Sequence, residues 1–186
     1  MIINLGCGNK KYIEAVNVDI CGSPDMKVDL SLFPWPWEDN SIDGIFASHI
    51  IEHFASQECF ILECHRILKP GGFLRIAAPH SSCVTSIGHI GHYRTYCYGA
   101  FHDYLTKPNY IFKEPLFKTT EQRLNWWYEF PDGEGKLSKP MLPIIKLVDK
   151  IMNSIININP RVFENTLSGL IQCREVIWRG EKICQE

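Results

Sequence analysis

Short apolar runs separated by polar turns alternate along the first eighty residues. The runs that predict buried strands are Ile2–Leu5, Ala15–Asp19, Met26–Leu30, Ser41–Ala47 and Phe73–Ala78. Glycine, proline and other turn residues bound these runs, which is typical of strands inside a sheet. Strands that alternate with crossover connections predict a parallel, doubly wound α/β sheet.

Helical spacing of apolar residues first occurs after Ser56, a residue type that favours the N-cap position. The predicted buried face of this helix consists of Phe60, Ile61, Cys64, Ile67 and Leu68. Lys69–Gly72 predicts the end of the helix, because glycine accepts the left-handed conformation of a C-cap and proline cannot continue a helix.

The pattern changes after residue 80, where residues 80–104 hold four of the seven histidines and predict a structured loop with a short helix. Further along, Arg123–Phe130 predicts a sixth strand. Residues 140–158 predict a helix, a second helix begins at Pro160, and Arg174–Arg179 predicts the last strand.

The opening of the chain combines a strand, a glycine turn and an acidic residue. Ile2–Leu5 runs directly into Gly6-Cys7-Gly8, and the next predicted strand ends on Asp19. Glycine lets the backbone approach a ligand where a Cβ atom would collide with it. A carboxylate at the tip of a strand can accept both hydroxyls of a ribose. The opening therefore predicts a site for an adenosine-bearing cofactor.

The spacing within this opening separates two classes of cofactor. Dinucleotide enzymes carry G-x-G-x-x-G and place the acid roughly 20 residues later, because a full helix intervenes whose N-terminus binds pyrophosphate. Here Asp19 follows Gly6 by only thirteen positions, and Lys11 stands where the third glycine would be. At most a turn or two of helix fits this gap, so the spacing argues against a nicotinamide oxidoreductase and favours a ligand without phosphates.

Several motifs together resemble the class I S-adenosylmethionine-dependent methyltransferases. Asn4–Gly8 with Asn17–Ile20 is similar to the cofactor region of that family. Trp37–Asp43, Ser48–His53 and Arg66–Gly72 are similar to the fourth and fifth strand region of its small-molecule methyltransferase group. The resemblance covers about the first 80 residues.

Two shorter pieces, His92–Arg94 and Asn159–Arg161, resemble a bacterial subgroup associated with cell-surface glycan pathways. The combined resemblance implies a methyltransferase that transfers a methyl group in line from S-adenosylmethionine to a small-molecule acceptor, such as a sugar or glycan precursor. The alternative is a binding or scaffold protein with this fold and weak or no catalysis, which the short first crossover and the missing third glycine motivate.

The resemblance also implies a Rossmann-like sheet, mostly parallel, with an antiparallel last strand and a short first crossover helix. We expect a single domain over residues 1–186. Residues 1–80 would form the cofactor-binding half, residues 80–172 the acceptor pocket and cap, and residues 173–179 the last strand.

Individual residues take expected roles from the same resemblance. Gly6 and Gly8 would let the backbone pass beneath the cofactor, Asp19 would bind the ribose hydroxyls, and Ser48 would lie near the sulfonium. Asp29 would face the adenine amino group, although it fits an ordinary turn equally well. The full expected cofactor site is Leu5, Gly6, Cys7, Gly8, Asn9, Asp19, Ile20, Asp29, Leu30, Ser48 and His49.

Histidines follow the fourth and fifth predicted strands, at the edge where parallel sheets bind ligands. They are His49, His53, His80, His89, His92 and His102. Imidazole titrates near neutrality and can take a proton from a hydroxyl or an amine. We expect His49 or His92 to be a general base, although each also fits a hydrogen-bonding role in the wall of the site.

A metal site would have to use His89-x-x-His92 with His80, Cys83 or Cys97. This spacing matches no familiar zinc pattern. The sequence therefore predicts no metal.

Composition narrows the expected partners and compartment. The net charge of −2 gives no general attraction to nucleic acid, so no nucleic-acid partner is expected. The eight cysteines include no C-x-x-C pair, and a chain of 186 residues does not need a disulfide framework, which predicts reduced thiols in the cytoplasm.

Membrane insertion is not predicted either. Met1 leads directly into the first strand, without the apolar run of a signal peptide. The longest apolar stretch, residues 141–158, is interrupted by Pro143, Lys146 and Asp149, so we expect no transmembrane segment. A homodimer is left open.

Overall fold

The computed structural model describes residues 1–127 and 142–183 and contains a seven-stranded sheet. The strands are β1 (Ile2–Leu5), β2 (Val16–Asp19), β3 (Met26–Lys27), β4 (Ile42–Ser48), β5 (Leu68–Pro79), β6 (Phe117–Asn125) and β7 (Glu175–Lys182). Their spatial order is β3-β2-β1-β4-β5-β7-β6. Neighbours among β1 to β5 pair in parallel, whereas β7 runs antiparallel to both β5 and β6. The predicted sheet with an antiparallel last strand is confirmed.

Short helices connect the strands. They are the 3₁₀ helix Ile51–His53, α1 (Gln57–Ile67), α2 (Val84–Ile87), α3 (Ala100–Leu105), α4 (Leu142–Ile156) and α5 (Pro160–Thr166). Helix α1 begins as predicted, because the side chain of Ser56 accepts a hydrogen bond from the Cys59 N–H. Helix α5 begins at Pro160, where the side chain of Asn159 caps the Val162 N–H.

The hydrophobic core is centred on the middle strands of the sheet. Ile3 of β1, Ile45 of β4, Ile76 of β5 and Trp178 of β7 have no exposed surface. Complete burial of a side chain of this size contributes roughly 1.5–3 kcal/mol, so the middle of the sheet is the most strongly stabilised part of the fold. The ends of these strands are thereby held in a fixed relation to one another.

The first crossover contains turns and no helix, which corrects the predicted short helix. Residues 6–15 are held instead by two buried amide side chains. Asn17 of β2 accepts the Tyr12 N–H at 2.8 Å and donates to the Tyr12 carbonyl at 3.0 Å. Asn4 of β1 donates to the Lys10 carbonyl at 2.9 Å and to the Asn17 Oδ1 atom at 3.0 Å. In a helix, backbone N–H and carbonyl groups pair with one another. In this loop, the side chains of Asn4 and Asn17 pair with backbone groups instead.

The sixth strand lies earlier in the chain than the sequence predicts, and residues 128–130 of the predicted strand lie outside the described residues. Strand β6 ends at Asn125, and backbone groups on both sides of this residue bond to side chains of α4 and the residue after it. The Trp126 N–H donates to Oδ1 of Asn153 at 2.7 Å, and the Leu124 N–H donates to Oδ1 of Asn157 at 2.8 Å.

Helix α4 covers the sheet chiefly with its C-terminal end, where Ile156 is completely buried. Leu147, Ile151 and Ile155 are 60%, 50% and 48% exposed, so much of the apolar face predicted for this segment faces away from the core. In the described part of the chain, no helix has both the length and the apolar character needed to span a membrane.

We predict that Asn17→Ala lowers the free energy of unfolding by about 2–3 kcal/mol, because it leaves backbone groups of the first crossover without partners. Urea denaturation measures this change. The control is Asn9→Ala, at an exposed position of the same loop, which should change stability by less than about 0.5 kcal/mol. Equal stability of the two variants would show that the crossover does not depend on Asn17.

Candidate functional site

A cavity of about 470 Å³ opens at the carboxyl edge of the parallel strands. This volume lies within the range of roughly 300–1,000 Å³ that is typical of small-molecule sites. The structure brings together in its wall five of the residues expected to bind the cofactor, namely Gly6, Asp19, Ile20, Asp29 and Leu30.

The turn after β1 requires glycine at its first position. Gly6 has a φ of +63°, and a Cβ atom there would lie 2.6 Å from the side chain of Ile50. Gly8 has a φ of +49°, but nothing lies within 4 Å of the place a Cβ would take. The loop is therefore packed against Ile50 at Gly6 and open at Gly8, which is a suitable surface for close approach of a ligand.

Asp19 is oriented by backbone donors on both of its carboxylate oxygens. Its Oδ2 atom accepts the Gly8 N–H at 2.8 Å, and Oδ1 accepts the Cys21 N–H at 2.9 Å. A carboxylate offers about four lone-pair sites, so each oxygen keeps the capacity to accept a further hydrogen bond. The Asp19 carboxylate is therefore fixed in orientation and can still accept hydrogen bonds from a ligand.

Asp29 lies at the cavity and also makes the hydrogen bonds of a turn residue. It lies in the cavity wall, and its Oδ1 atom also accepts hydrogen bonds from the hydroxyl and the backbone N–H of Ser31, at 2.6 and 3.0 Å. These bonds hold the pKa of the Asp29 carboxyl below its usual value. Nearby, the indole of Trp35 donates to the Leu30 carbonyl at 2.9 Å and fixes the end of this loop.

The remaining expected cofactor residues do not line this cavity. They are Leu5, Cys7, Gly8, Asn9, Ser48 and His49. Leu5 and Cys7 are buried in the core, and the Ser48 hydroxyl accepts a hydrogen bond from the Lys10 ammonium at 3.4 Å. Gly8 contributes indirectly, because its N–H orients Asp19.

His49 lies between two buried carboxylates. Its Nε2 atom donates to Oε2 of Glu175 at 2.8 Å, and its Nδ1 atom lies 3.3 Å from Oε1 of Glu52. Burial acts to lower the pKa of His49, but its hydrogen bond to Glu175 and the negative charges of Glu175 and Glu52 outweigh burial and raise the pKa to about 9. Both ring nitrogens face groups that only accept, so this geometry does not favour His49 as a base.

Glu175 is a functional candidate that the sequence reasoning did not single out, and Glu52 entered it only as a member of the Ser48–His53 motif. Glu175 is the first residue of β7, pairs with Asn125 of β6, and accepts a hydrogen bond from the Asn125 amide at 2.7 Å. Glu175 is far from His49 along the chain, so the sequence alone does not reveal their contact. A glutamate at the start of an otherwise buried strand was the available signal.

His92 lies in a group of three imidazoles that also includes His53 and His89. Its Nδ1 atom bonds to the Ser86 carbonyl at 3.0 Å, and its ring stacks on His89 with centroids 4.2 Å apart. The His53 ring meets it edge-on at 4.9 Å. Burial, aided by the two neighbouring imidazoles and opposed by Glu52, lowers the pKa of His92.

Two other histidines near this edge make structural bonds. His80 is buried, and its Nε2 atom bonds to Oε1 of Glu164 at 2.8 Å, which ties α5 to the end of β5. His102 bonds to the hydroxyl of Thr119 at 3.0 Å. Neither lines either of the two cavities at this end of the molecule.

A second cavity of about 400 Å³ adjoins the first and shares Ala55 and Ser56 with it. Residues 94–97, α3 and the start of α1 form much of its wall. Its aromatic side chains are Tyr96, Phe101, Tyr104, Tyr110 and Phe112. This second cavity falls in the region expected to bind the acceptor.

Comparison with known proteins shows what the chain is similar to. Residues 3–76 match a family described as methyltransferase domain. A segment of 45 residues is 38% identical to a probable S-adenosylmethionine-dependent methyltransferase of Mycolicibacterium smegmatis. That segment is 24% of this chain and spans only 18% of the relative's length.

Solved structures show the same fold at low sequence identity. A S-adenosylmethionine-dependent methyltransferase from Archaeoglobus fulgidus superposes with a TM-score of 0.57 at 16% identity, over 97% of this chain and 85% of the other. The 1,6-didemethyltoxoflavin-N1-methyltransferase of Burkholderia thailandensis, solved with 1,6-didemethyltoxoflavin and S-adenosylhomocysteine, gives 0.53 at 10% identity, over 98% and 71%.

The family match and the shared fold confirm the resemblance found in the sequence. Residues 3–76 therefore match the methyltransferase domain family, and the described chain has the fold of the class I S-adenosylmethionine-dependent methyltransferases.

Proposed function

We propose that the protein transfers a methyl group from S-adenosylmethionine to a small-molecule acceptor. The observation that carries this proposal is the cavity in which Gly6, Asp19 and Asp29 meet at the carboxyl edge of the sheet. The match of residues 3–76 to the methyltransferase domain family supports methyl transfer and this donor.

The cavity suits the parts of the proposed cofactor. The two oriented oxygens of Asp19 would accept the ribose hydroxyls, and Asp29 would accept the adenine amino group. Ile20 and Leu30 would contact the faces of the adenine ring, since both line the same cavity. The amino-acid end would lie over the Gly6–Gly8 turn, where Gly8 leaves the surface open.

The second cavity is the proposed acceptor site. Its volume of about 400 Å³ suits a small molecule, and its aromatic lining offers flat faces against which a ring can pack. Exposed Arg94 adds a positive charge at its wall. A sugar or glycan precursor, as the resemblance of His92–Arg94 implies, has both a ring and polar groups for such a wall.

The sulfonium of the cofactor already activates the methyl group for transfer. Alignment of donor and acceptor by the protein would then supply much of the rate acceleration, because it converts a bimolecular step into an effectively intramolecular one. His92 lines neither cavity but would be the candidate base beside them, because its Nδ1 atom is used by the Ser86 carbonyl and its Nε2 atom can accept a hydrogen bond from a hydroxyl or amine. His49, held by Glu175 and Glu52, would act as a positioning residue for the edge of the sheet.

A cytoplasmic location and a homodimer complete the proposal. The seven cysteines in the described residues are all free thiols, which supports a reducing compartment. The exposed apolar side chains of α4 would provide a surface for a second copy of the chain.

We predict that S-adenosylhomocysteine binds and that Asp19→Asn weakens its affinity by about 10–100-fold, because the ribose hydroxyls lose a charged acceptor. Isothermal titration calorimetry measures both affinities. Glu14→Gln, at an exposed position of the same crossover, makes the same change of charge and should bind as the natural chain does. Absence of binding by the natural chain would contradict the proposed cofactor and favour a scaffold role.

We also predict that Gly6→Ala weakens S-adenosylhomocysteine binding roughly tenfold or more, since the new Cβ must displace Ile50, which lines the same cavity. Gly71→Ala is the matched control, because Gly71 has a φ of +74° and nothing within 4 Å of a Cβ. It carries similar backbone strain far from the cavity. Equal affinity of the two variants would show that the Gly6–Ile50 packing does not shape the site.

A further inference from the structure

Glu52 is the most unusual side chain at the edge of the sheet. It is completely buried, and within the described residues neither of its carboxylate oxygens has a hydrogen-bond partner. The nearby His49 Nδ1 atom is 3.3 Å from Oε1, without the geometry of a hydrogen bond. A buried carboxylate in this state costs several kcal/mol unless a further cation or donor compensates it.

The negative charge of the carboxylates around His49 also favours binding of a cation. Glu52 and Glu175 are both buried and both face His49, so Glu52 shares this histidine with a second carboxylate. Tyr96 adds another buried polar atom without a partner in the described residues, its hydroxyl oxygen.

Two imidazoles stand beside Glu52. One potential ligand atom from each of Glu52, His53 and His92 lies within 4.8 Å of the other two. Ligands of one tetrahedral zinc ion lie about 3.4 Å apart, so a small rotation of His53, the exposed member, would bring the three atoms into coordinating positions.

The hydrogen bonds of the two histidines fix which nitrogen is available. Nδ1 of His53 bonds to the Gly91 carbonyl at 2.9 Å, and Nδ1 of His92 bonds to the Ser86 carbonyl at 3.0 Å. A carbonyl oxygen only accepts, so both Nδ1 atoms carry the proton and both Nε2 atoms keep their lone pair. Histidines that bind metals usually donate their other nitrogen in this way.

The backbone also holds the two ligand segments together. The Tyr93 N–H, next to His92, donates to the Glu52 carbonyl at 2.8 Å. Together with the bond between His53 and Gly91, this contact joins the loop after α2 to the 3₁₀ helix. The three side chains are therefore arranged by the fold before any ion binds.

We infer that Glu52, His53 and His92 form a binding site for a divalent transition-metal ion, with Zn²⁺ as the best match. One carboxylate and two imidazoles are a donor set that zinc and its neighbours in the first transition row accept, whereas Mg²⁺ prefers oxygen ligands. Three protein ligands leave a coordination position open. This group shares His92 with the His89-x-x-His92 set that the sequence analysis considered, but its other two ligands are Glu52 and His53.

The position of the ion suggests a use. His53 also lines the cofactor cavity, so an ion held by these three side chains would lie beside that cavity. A metal lowers the pKa of a bound hydroxyl, and a coordinated acceptor hydroxyl would then lose its proton more easily. That role rests on the proposed methyl transfer, whereas metal binding itself does not.

Zinc binding to the metal-free full chain, measured by competition with a chromophoric chelator, tests the inference. The natural chain should bind one Zn²⁺, and His53→Ala and His92→Ala should each weaken the affinity by at least about 10–100-fold, the loss seen when even an outer partner of a ligand is removed. His89→Ala is the matched control, because His89 stacks on His92 but its Nδ1 atom accepts the Gly91 N–H. It should bind Zn²⁺ as the natural chain does.

Cobalt substitution separates this site from a site made by cysteines. Bound Co²⁺ should give the visible absorption of nitrogen and oxygen ligation, without a thiolate charge-transfer band. Failure of the natural chain to bind one Zn²⁺, unchanged binding by both His53→Ala and His92→Ala, or a thiolate band would each overturn the inference.

The same variants distinguish the metal site from the proposed function. Asp19→Asn should lose affinity for S-adenosylhomocysteine but keep its affinity for Zn²⁺. His92→Ala should lose affinity for Zn²⁺ but keep its affinity for S-adenosylhomocysteine. A chain that binds Zn²⁺ but no S-adenosylhomocysteine would retain the metal site and contradict the proposed function alone.

Discussion

The buried hydrogen bond between the amides of Asn4 and Asn17 determines how the chain passes from β1 to β2. This bond links two neighbouring parallel strands beneath a crossover that consists only of turns. The Asn4 amide also donates a hydrogen bond to the Lys10 carbonyl of that crossover. Because no helix intervenes, the glycine turn after β1 reaches Asp19 directly, and the Gly8 N–H can orient that carboxylate. The proposed ribose site is therefore a consequence of a short crossover, and the shortness is compatible with a formed cavity.

A second buried polar group joins the other side of the same edge. His49 at the end of β4 contacts Glu52 of the 3₁₀ helix and Glu175 of β7, and Glu175 in turn contacts Asn125 of β6. Buried charges of this kind persist only when partners compensate them. The contacts tie the parallel half of the sheet to its antiparallel end, beside both cavities. The proposed cation would complete the compensation of Glu52.

The sequence predicted the sheet and the glycine–acid pair because these depend on local patterns. Apolar alternation and turn residues indicated the strands, and the separation of Gly6 and Asp19 indicated the type of ligand. The side-chain contacts could not be predicted in the same way. Glu175 reaches His49 only after β7 has inserted between β5 and β6, and nothing in its local sequence encodes that partner. The resemblance implied a short helix in the first crossover, and the two asparagines on separate strands that replace it gave no periodic signal.

A crystal structure of the full chain with S-adenosylhomocysteine tests the central claim most directly, since it shows where the ligand lies. The account predicts that the ribose hydroxyls bind the Asp19 carboxylate, that the adenine lies beside Asp29, and that the sulfur faces the region of His53 and His92. Electron density for the ligand elsewhere, with the cavity at Asp19 occupied only by solvent, would contradict the account.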